Sequence, residues 1–171
     1  WRMTSVGISD LAAYAPVSSM SVERLIAIRS AGNRKLARLL QSAARSTGQV
    51  SFRYPAPWED SVTMAAEAAR RLLDANPGVD LAGLRYLAAG SETGVDMSKP
   101  IAAYVQGLLT RAGRPVPRSI GTFQAQHACA GATVALTGVA ALLAGSGRGG
   151  DSGLVLCTDI ARYEAGGTAE I

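Results

Sequence analysis

Ile120-Gly121-Thr122-Phe123-Gln124-Ala125-Gln126-His127-Ala128-Cys129-Ala130-Gly131-Ala132-Thr133 runs on without a charge through Val134 to Gly145, and its reading decides the fold. Ile120 to Gln126 reads as a strand, and the helix after the cysteine is almost wholly Ala, Leu, Val and Gly. A helix apolar on every side is expected to be buried rather than laid on a surface. Its first turn then points inward, with unpaired backbone N–H groups and the positive end of the macrodipole beside the sulfur. The thiolate is the nucleophilic form of cysteine, and a helix N-terminus favours it. Cys129 is therefore either a nucleophile at the closed end of a tunnel or a small hydrophobe packed in a core.

Outward from this stretch, the pattern repeats. Leu84 to Ala89 (LRYLAA) is a continuous apolar run, as buried parallel strands tend to be. It opens into a polar loop, Gly90 to Lys99, containing Glu92 and Asp96, and Pro100 stands at the start of a helix over 101–109. After the cysteine helix, Gly145 to Gly150 breaks the chain, and a second apolar strand, Gly153 to Thr158, runs into Asp159-Ile160-Ala161-Arg162-Tyr163. Nearer the amino terminus, Ser5 to Tyr14 reads as a first strand. Ser21 caps a helix over 22–30, Asn33 caps another to about Arg45, and Val50 to Tyr54 is a short strand. Asp60 caps a helix over 61–73 that Asn76-Pro77-Gly78 stops. Strands alternating with helices imply βαβ units on a mainly parallel sheet, an α/β fold.

With 171 residues, the chain is one domain or part of a larger one. Its 48% apolar share describes a packed globular protein. A net charge of +4 raises the question of nucleic acid, but the basic residues are scattered and no aromatic platform interleaves with them. A solvated helix face, or contact with a polyanion such as coenzyme A, is the expectation instead. The two cysteines, Cys129 and Cys157, share no framework spacing, which predicts reduced thiols and a cytoplasmic setting. Cys157 lies in an apolar strand, where a serine hydroxyl would lack a partner. No apolar run reaches the roughly 20 residues needed to span a bilayer, and no secretory signal is read. Neither membrane, nucleic acid nor metal is expected as a partner.

Glu92 follows its strand as Cys129 follows its own, and the carboxyl ends of parallel strands share one edge of a sheet. A carboxylate and a thiol on one edge suit acyl transfer to sulfur followed by proton removal from the acyl methyl. The alternative for Glu92 is an ordinary loop acid.

Three stretches carry a resemblance. Gly90-Ser91-Glu92-Thr93-Gly94-Val95-Asp96 with Ser98-Lys99-Pro100, Gln126-His127-Ala128-Cys129-x-Gly131-x-Thr133, and Thr158-Asp159-Ile160-Ala161-Arg162-Tyr163 together resemble 3-hydroxy-3-methylglutaryl-CoA (HMG-CoA) synthase. That family belongs to the thiolase-like condensing superfamily. The resemblance implies a layered thiolase-like fold, of which residues 1–171 form the amino-terminal half, with a mainly parallel sheet and a buried central helix. It implies that Cys129 takes the acetyl group of acetyl-CoA as a thioester. Glu92 removes a methyl proton, and the enolate attacks the ketone of acetoacetyl-CoA. Tyr163 and the Gly166-Gly167 turn match positions lining the acyl pocket, and Arg29 and Lys35 fall near the CoA entrance. No bound cofactor is implied; the partners are acyl-CoA or acyl-carrier-protein thioesters, a complementary carboxy-terminal half and a second copy in a homodimer.

The pattern departs from the family in places. Ala130 stands where an aromatic commonly follows the nucleophile. The family's catalytic histidine and a pocket asparagine belong to a second half, and His127, the sole histidine, does not match that position. It is expected to pack near the nucleophile at the strand end. Without the second half, one face of the helix from Val134 to Leu143 lacks a cover. Other readings are a β-branching synthase of polyketide assembly, a chain-starting ketoacyl synthase, which would not place a glutamate in SETGVD, and a half-length subunit without chemistry of its own.

Overall fold

A computed structural model describes residues 5–164, which divide into two compact units, 15–58 with 161–164 and 5–14 with 59–160. In the first, β1 (Ser19–Ser21) pairs antiparallel with β2 (Ser51–Arg53). Between them run α1 (Val22–Ser30) and α2 (Arg34–Thr47). Both helices begin where short polar side chains can stand in for the missing backbone acceptors. Ser21 Oγ accepts from Arg24 N, and Asn33 Oδ1 accepts from Lys35 N and Leu36 N. Val22 and Ile26 of α1 meet Leu40 of α2 in a small core that Phe52 of β2 closes.

The second unit carries α3 (Ser61–Ala75), β3 (Leu84–Gly90), α4 (Ile101–Arg111), β4 (Gly121–Ala125), α5 (Gly131–Ser146) and β5 (Ser152–Cys157). Its strands form a parallel sheet in the order β4-β3-β5. That order follows from the hand of the crossovers. The chain steps from β3 to β4 one way and returns past β3 to β5, so right-handed connections put α4 and α5 on opposite faces. The central strand is accordingly covered twice. Leu84, Leu87 and Ala89 pack with α3 and α4, while Ala88 packs with Ala135, Val139 and Leu143 of α5. This double burial is why LRYLAA lacks the alternation of a half-exposed strand.

The stretch Ser5 to Tyr14 is not a strand. Its backbone is irregular, and Ile8 and Leu11 are exposed, because no neighbouring strand supplies a ladder for it among the described residues. Tyr14 ends it by donating its hydroxyl to Glu59, with Arg71 stacked 4.9 Å over its ring.

The apolar helix is not buried all round either. Gly131, Ala135, Val139 and Leu143 form its buried stripe, while Val134 (45%), Leu136 (39%) and Leu142 (42%) are exposed. The sheet is a single layer and covers a single side of α5. By length and composition the 19 residues Ala128–Ser146 would also suffice to cross a bilayer, longer than the sequence reading allowed. Packing of the small-residue stripe on β3 and β5 gives the composition a different cause: this is a sheet-covering helix. Cys157, expected in the core, is exposed at the end of β5, so a serine hydroxyl there would find water as its partner.

Candidate active site

The carboxyl ends of β3, β4 and β5 lie on one edge, and each hands over to a polar residue of interest: Glu92, Cys129 and Asp159. The first two are brought together by a backbone contact rather than by their own side chains. A Cβ on Gly90 would lie 2.1 Å from the Ala132 nitrogen and 2.3 Å from the Gly131 carbonyl carbon. A Cβ on Gly131 would lie 2.8 Å from the Ala125 oxygen and 3.2 Å from the Ser91 nitrogen. Only paired glycines allow the end of β3 to touch the start of α5 this closely. Glu92 is two residues past one glycine and Cys129 two residues before the other.

Cys129 itself stands ahead of α5, in a tight turn rather than in the helix's first turn. Ala130 N donates to His127 O at 2.9 Å and Gly131 N to Ala128 O at 3.1 Å. Ala128 adopts φ 40°, a left-handed conformation that side chains other than glycine's adopt at a cost. The turn aims the chain so that α5 starts at once, and its start has no side-chain cap. First-turn amides without a side-chain acceptor are a site for developing negative charge. Cys129 is exposed instead of lying at the end of a closed tunnel, because no second layer stands opposite the sheet edge among the described residues. His127 is exposed too, and it serves the turn through its carbonyl rather than packing beside the sulfur.

Glu92 is exposed, and its carboxylate makes no hydrogen bond among the described residues. Its backbone, by contrast, is tightly held. Asp159 Oδ1 accepts from Glu92 N at 2.8 Å, Ser91 Oγ at 2.9 Å, Thr93 N at 3.1 Å and Thr93 Oγ1 at 2.9 Å. A carboxylate accepting several N–H and O–H groups is a strong anchor. Asp159 stands in the third motif, where the sequence alone assigns it no role. Its signal was there: an acid directly after a buried parallel strand, on the edge shared with Glu92 and Cys129.

The far end of the same loop is fixed separately. Asp96 accepts from Ser98 N at 2.7 Å and Tyr104 Oη at 2.7 Å, and these donors, the Ser98 amide first, hold its carboxyl below the usual range. Gln124 Oε1 caps α4 by accepting from Ile101 N at 2.9 Å. An open cleft of about 300 Å³ runs from Asp96 and Lys99 to Gln124 and Gln126.

The remaining residues singled out from the sequence belong elsewhere. Arg29 and Lys35 are exposed on α1 and α2 of the first unit, and Tyr163, 57% exposed, also belongs to that unit. Gly166 and Gly167 lie outside the described residues.

Known proteins resemble this chain in sequence and in fold. The family described as hydroxymethylglutaryl-coenzyme A synthase N terminal matches residues 2–170. The chain is 31% identical over 117 residues to hydroxymethylglutaryl-CoA synthase of Haloferax volcanii, covering 68% of this chain and 26% of that protein. It is 23% identical over 161 residues to the polyketide biosynthesis 3-hydroxy-3-methylglutaryl-ACP synthase PksG of Bacillus subtilis, 94% of this chain and 35% of that protein. Among solved structures, MvaS in complex with 3-hydroxy-3-methylglutaryl coenzyme A superposes with a TM-score of 0.74 at 36% identity, over 92% of this chain and 35% of that one. The chain thus spans about a quarter to a third of the length of the curated relatives it matches.

Proposed function

We propose, because this chain belongs to the hydroxymethylglutaryl-CoA synthase family, that it supplies the nucleophile and the general base of a carbon–carbon bond-forming synthase. The observation that carries the reading is the Gly90–Gly131 contact, which sets Glu92 and Cys129 on adjacent strand ends. The Cys129 thiolate attacks the thioester carbonyl of acetyl-CoA and expels the CoA thiolate, leaving an acetyl thioester on the enzyme. Glu92 takes a proton from the acetyl methyl. The enolate carbon bonds to the ketone carbon of acetoacetyl-CoA, and the resulting alkoxide takes a proton from the histidine that the family resemblance assigns to a second half. Water then cleaves the thioester, freeing Cys129 and releasing HMG-CoA. By the family resemblance alone, Tyr163, Gly166 and Gly167 are assigned to the acyl pocket, and Arg29 and Lys35 to the CoA entrance.

A second substrate reading is a β-ketoacyl group on an acyl carrier protein. It is favoured by the match to PksG, which covers nearly the whole chain and is named for an ACP-linked product.

Cys129 is expected to be the acylated residue. Incubation of the full assembly with acetyl-CoA, followed by digestion and mass spectrometry, should find acetyl on the peptide containing Cys129. Acetyl on Cys157 alone would defeat the assignment.

The exposed side of α5 points to a complementary second half or another copy as its cover. Apolar surface left in water costs roughly 25 cal/mol per Å², and Val134, Leu136 and Leu142 of this helix are all exposed. Light scattering coupled to size exclusion should therefore report a mass above that of one 17.6 kDa chain. An active monomer of that mass would sink the expectation.

A further inference from the structure

Thr158 is the point at which the chain leaves β5, and it is buried. Its N–H still donates to the Gly90 carbonyl at 3.3 Å, while its hydroxyl turns away from the sheet to the Ser61 carbonyl at 2.7 Å. Ser61, also buried, sits in the first turn of α3, where Asp60 and Thr63 cap each other. Its own hydroxyl donates to the Thr93 carbonyl at 2.8 Å. Thr93 gives its N–H and hydroxyl to Asp159 and accepts the Ile160 N–H at 2.9 Å. Since Asp159 follows Thr158 in the chain, these bonds close a ring through the start of α3, the loop after β3 and the exit of β5. Glu92 lies within that loop, between Ser91 and Thr93, both of which are bonded to the ring.

Buried hydroxyl bonds of this kind hold a geometry, because breaking one leaves a polar group without water or partner. Among the described residues no buried side-chain nitrogen or oxygen lacks a partner, so the ring is complete as it stands. The Glu92 carboxylate, in contrast, has no side-chain partner among the described residues, and its position depends on its backbone. We propose that Thr158, acting through Ser61, is a positioning residue for Glu92: the Thr158–Ser61–Thr93 relay sets the loop height that places the carboxylate over the acyl group on Cys129. The inference rests on the acyl-enzyme reading above and extends it to residues that touch no substrate.

The two half-reactions separate positioning from general damage. Acetyl transfer to Cys129 does not use Glu92, whereas proton removal needs Glu92 in place. In the full-length protein, Thr158→Val keeps the shape and deletes the donor, Thr158→Ser restores the donor, and Ser61→Ala keeps the helix and cuts the bond to Thr93. With [2H3]acetyl-CoA in ordinary water, peptide mass spectrometry reads both the acetyl on Cys129 and the deuterium washed from its methyl. Thr158→Val should acetylate as wild type but lose deuterium about 10- to 100-fold more slowly, as a misplaced catalytic group does. Thr158→Ser should return to the wild-type rate, and Ser61→Ala should show the same split. Equal loss of both steps in Ser61→Ala, or wild-type deuterium loss in Thr158→Val, overturns the proposal. If Thr158→Val does not fold, Ser61→Ala alone decides it. A wild-type protein that leaves Cys129 unacetylated overturns the parent reading, and the proposal falls with it.

Discussion

Glu92→Gln is expected to leave Cys129 acetylation close to wild type and to lower condensation by about 10²- to 10⁴-fold, the usual contribution of a positioned acid–base group. The substitution is nearly isosteric and removes nothing the fold uses. The Glu92 side chain is exposed and makes no hydrogen bond among the described residues, while the bonds to Asp159 come from its backbone N–H and from Ser91 and Thr93. The amide of glutamine cannot take a proton from the acetyl methyl, so the block should fall after acyl transfer. Single-turnover mixing with acetyl-CoA, and then with acetoacetyl-CoA, would accumulate acetyl-enzyme that does not go on to product. Loss of acetylation as well would mean that Glu92 supports the turn holding Cys129 and is not the base.

Gly90→Ala is expected to cost about 3 kcal/mol or more, at the severe end of overpacking in a well-filled core. The added carbon would stand 2.1 Å from the Ala132 nitrogen and 2.4 Å from the Ala132 Cα, and these are backbone atoms with no rotamer to yield. Relief requires α5 to move off the sheet, carrying Cys129 with it, so surviving protein should also acetylate poorly. Gly107→Ala is the matched control. Gly107 lies in α4 with nothing within 4 Å of the added carbon, so the same change should stabilise by about 0.5–1 kcal/mol. Urea unfolding of the pair should move in opposite directions. A Gly90→Ala protein as stable as wild type would refute the close contact on which the site depends.

Local chemistry explains what could be read in advance. Caps are short-range, so Ser21, Asn33 and Asp60 located the starts of α1, α2 and α3, where their side chains accept first-turn amides. Double burial writes a continuous apolar run, so LRYLAA announced a central parallel strand. Parallel strands share an edge, and Glu92 and Cys129 could be placed on it from spacing alone. The failures have the opposite character. Ser5 to Tyr14 is as apolar as an edge strand, yet a strand exists only where a neighbour supplies hydrogen bonds, and that neighbour is not a property of the segment.

What the amino-acid sequence by itself determined is the order of elements from α3 to β5, their parallel pairing class and the edge on which a thiol and a carboxylate meet. Tertiary structure alone decided how closely they meet, through the Gly90–Gly131 contact, and what holds the acid in place. Asp159, Thr158 and Ser61 converge on the Glu92 loop from positions 30 to 100 residues apart in the chain, roughly the separations that make such contacts invisible to local pattern. It likewise decided which side of α5 is covered, because burial depends on the layer opposite a helix, and composition records only what the helix could tolerate.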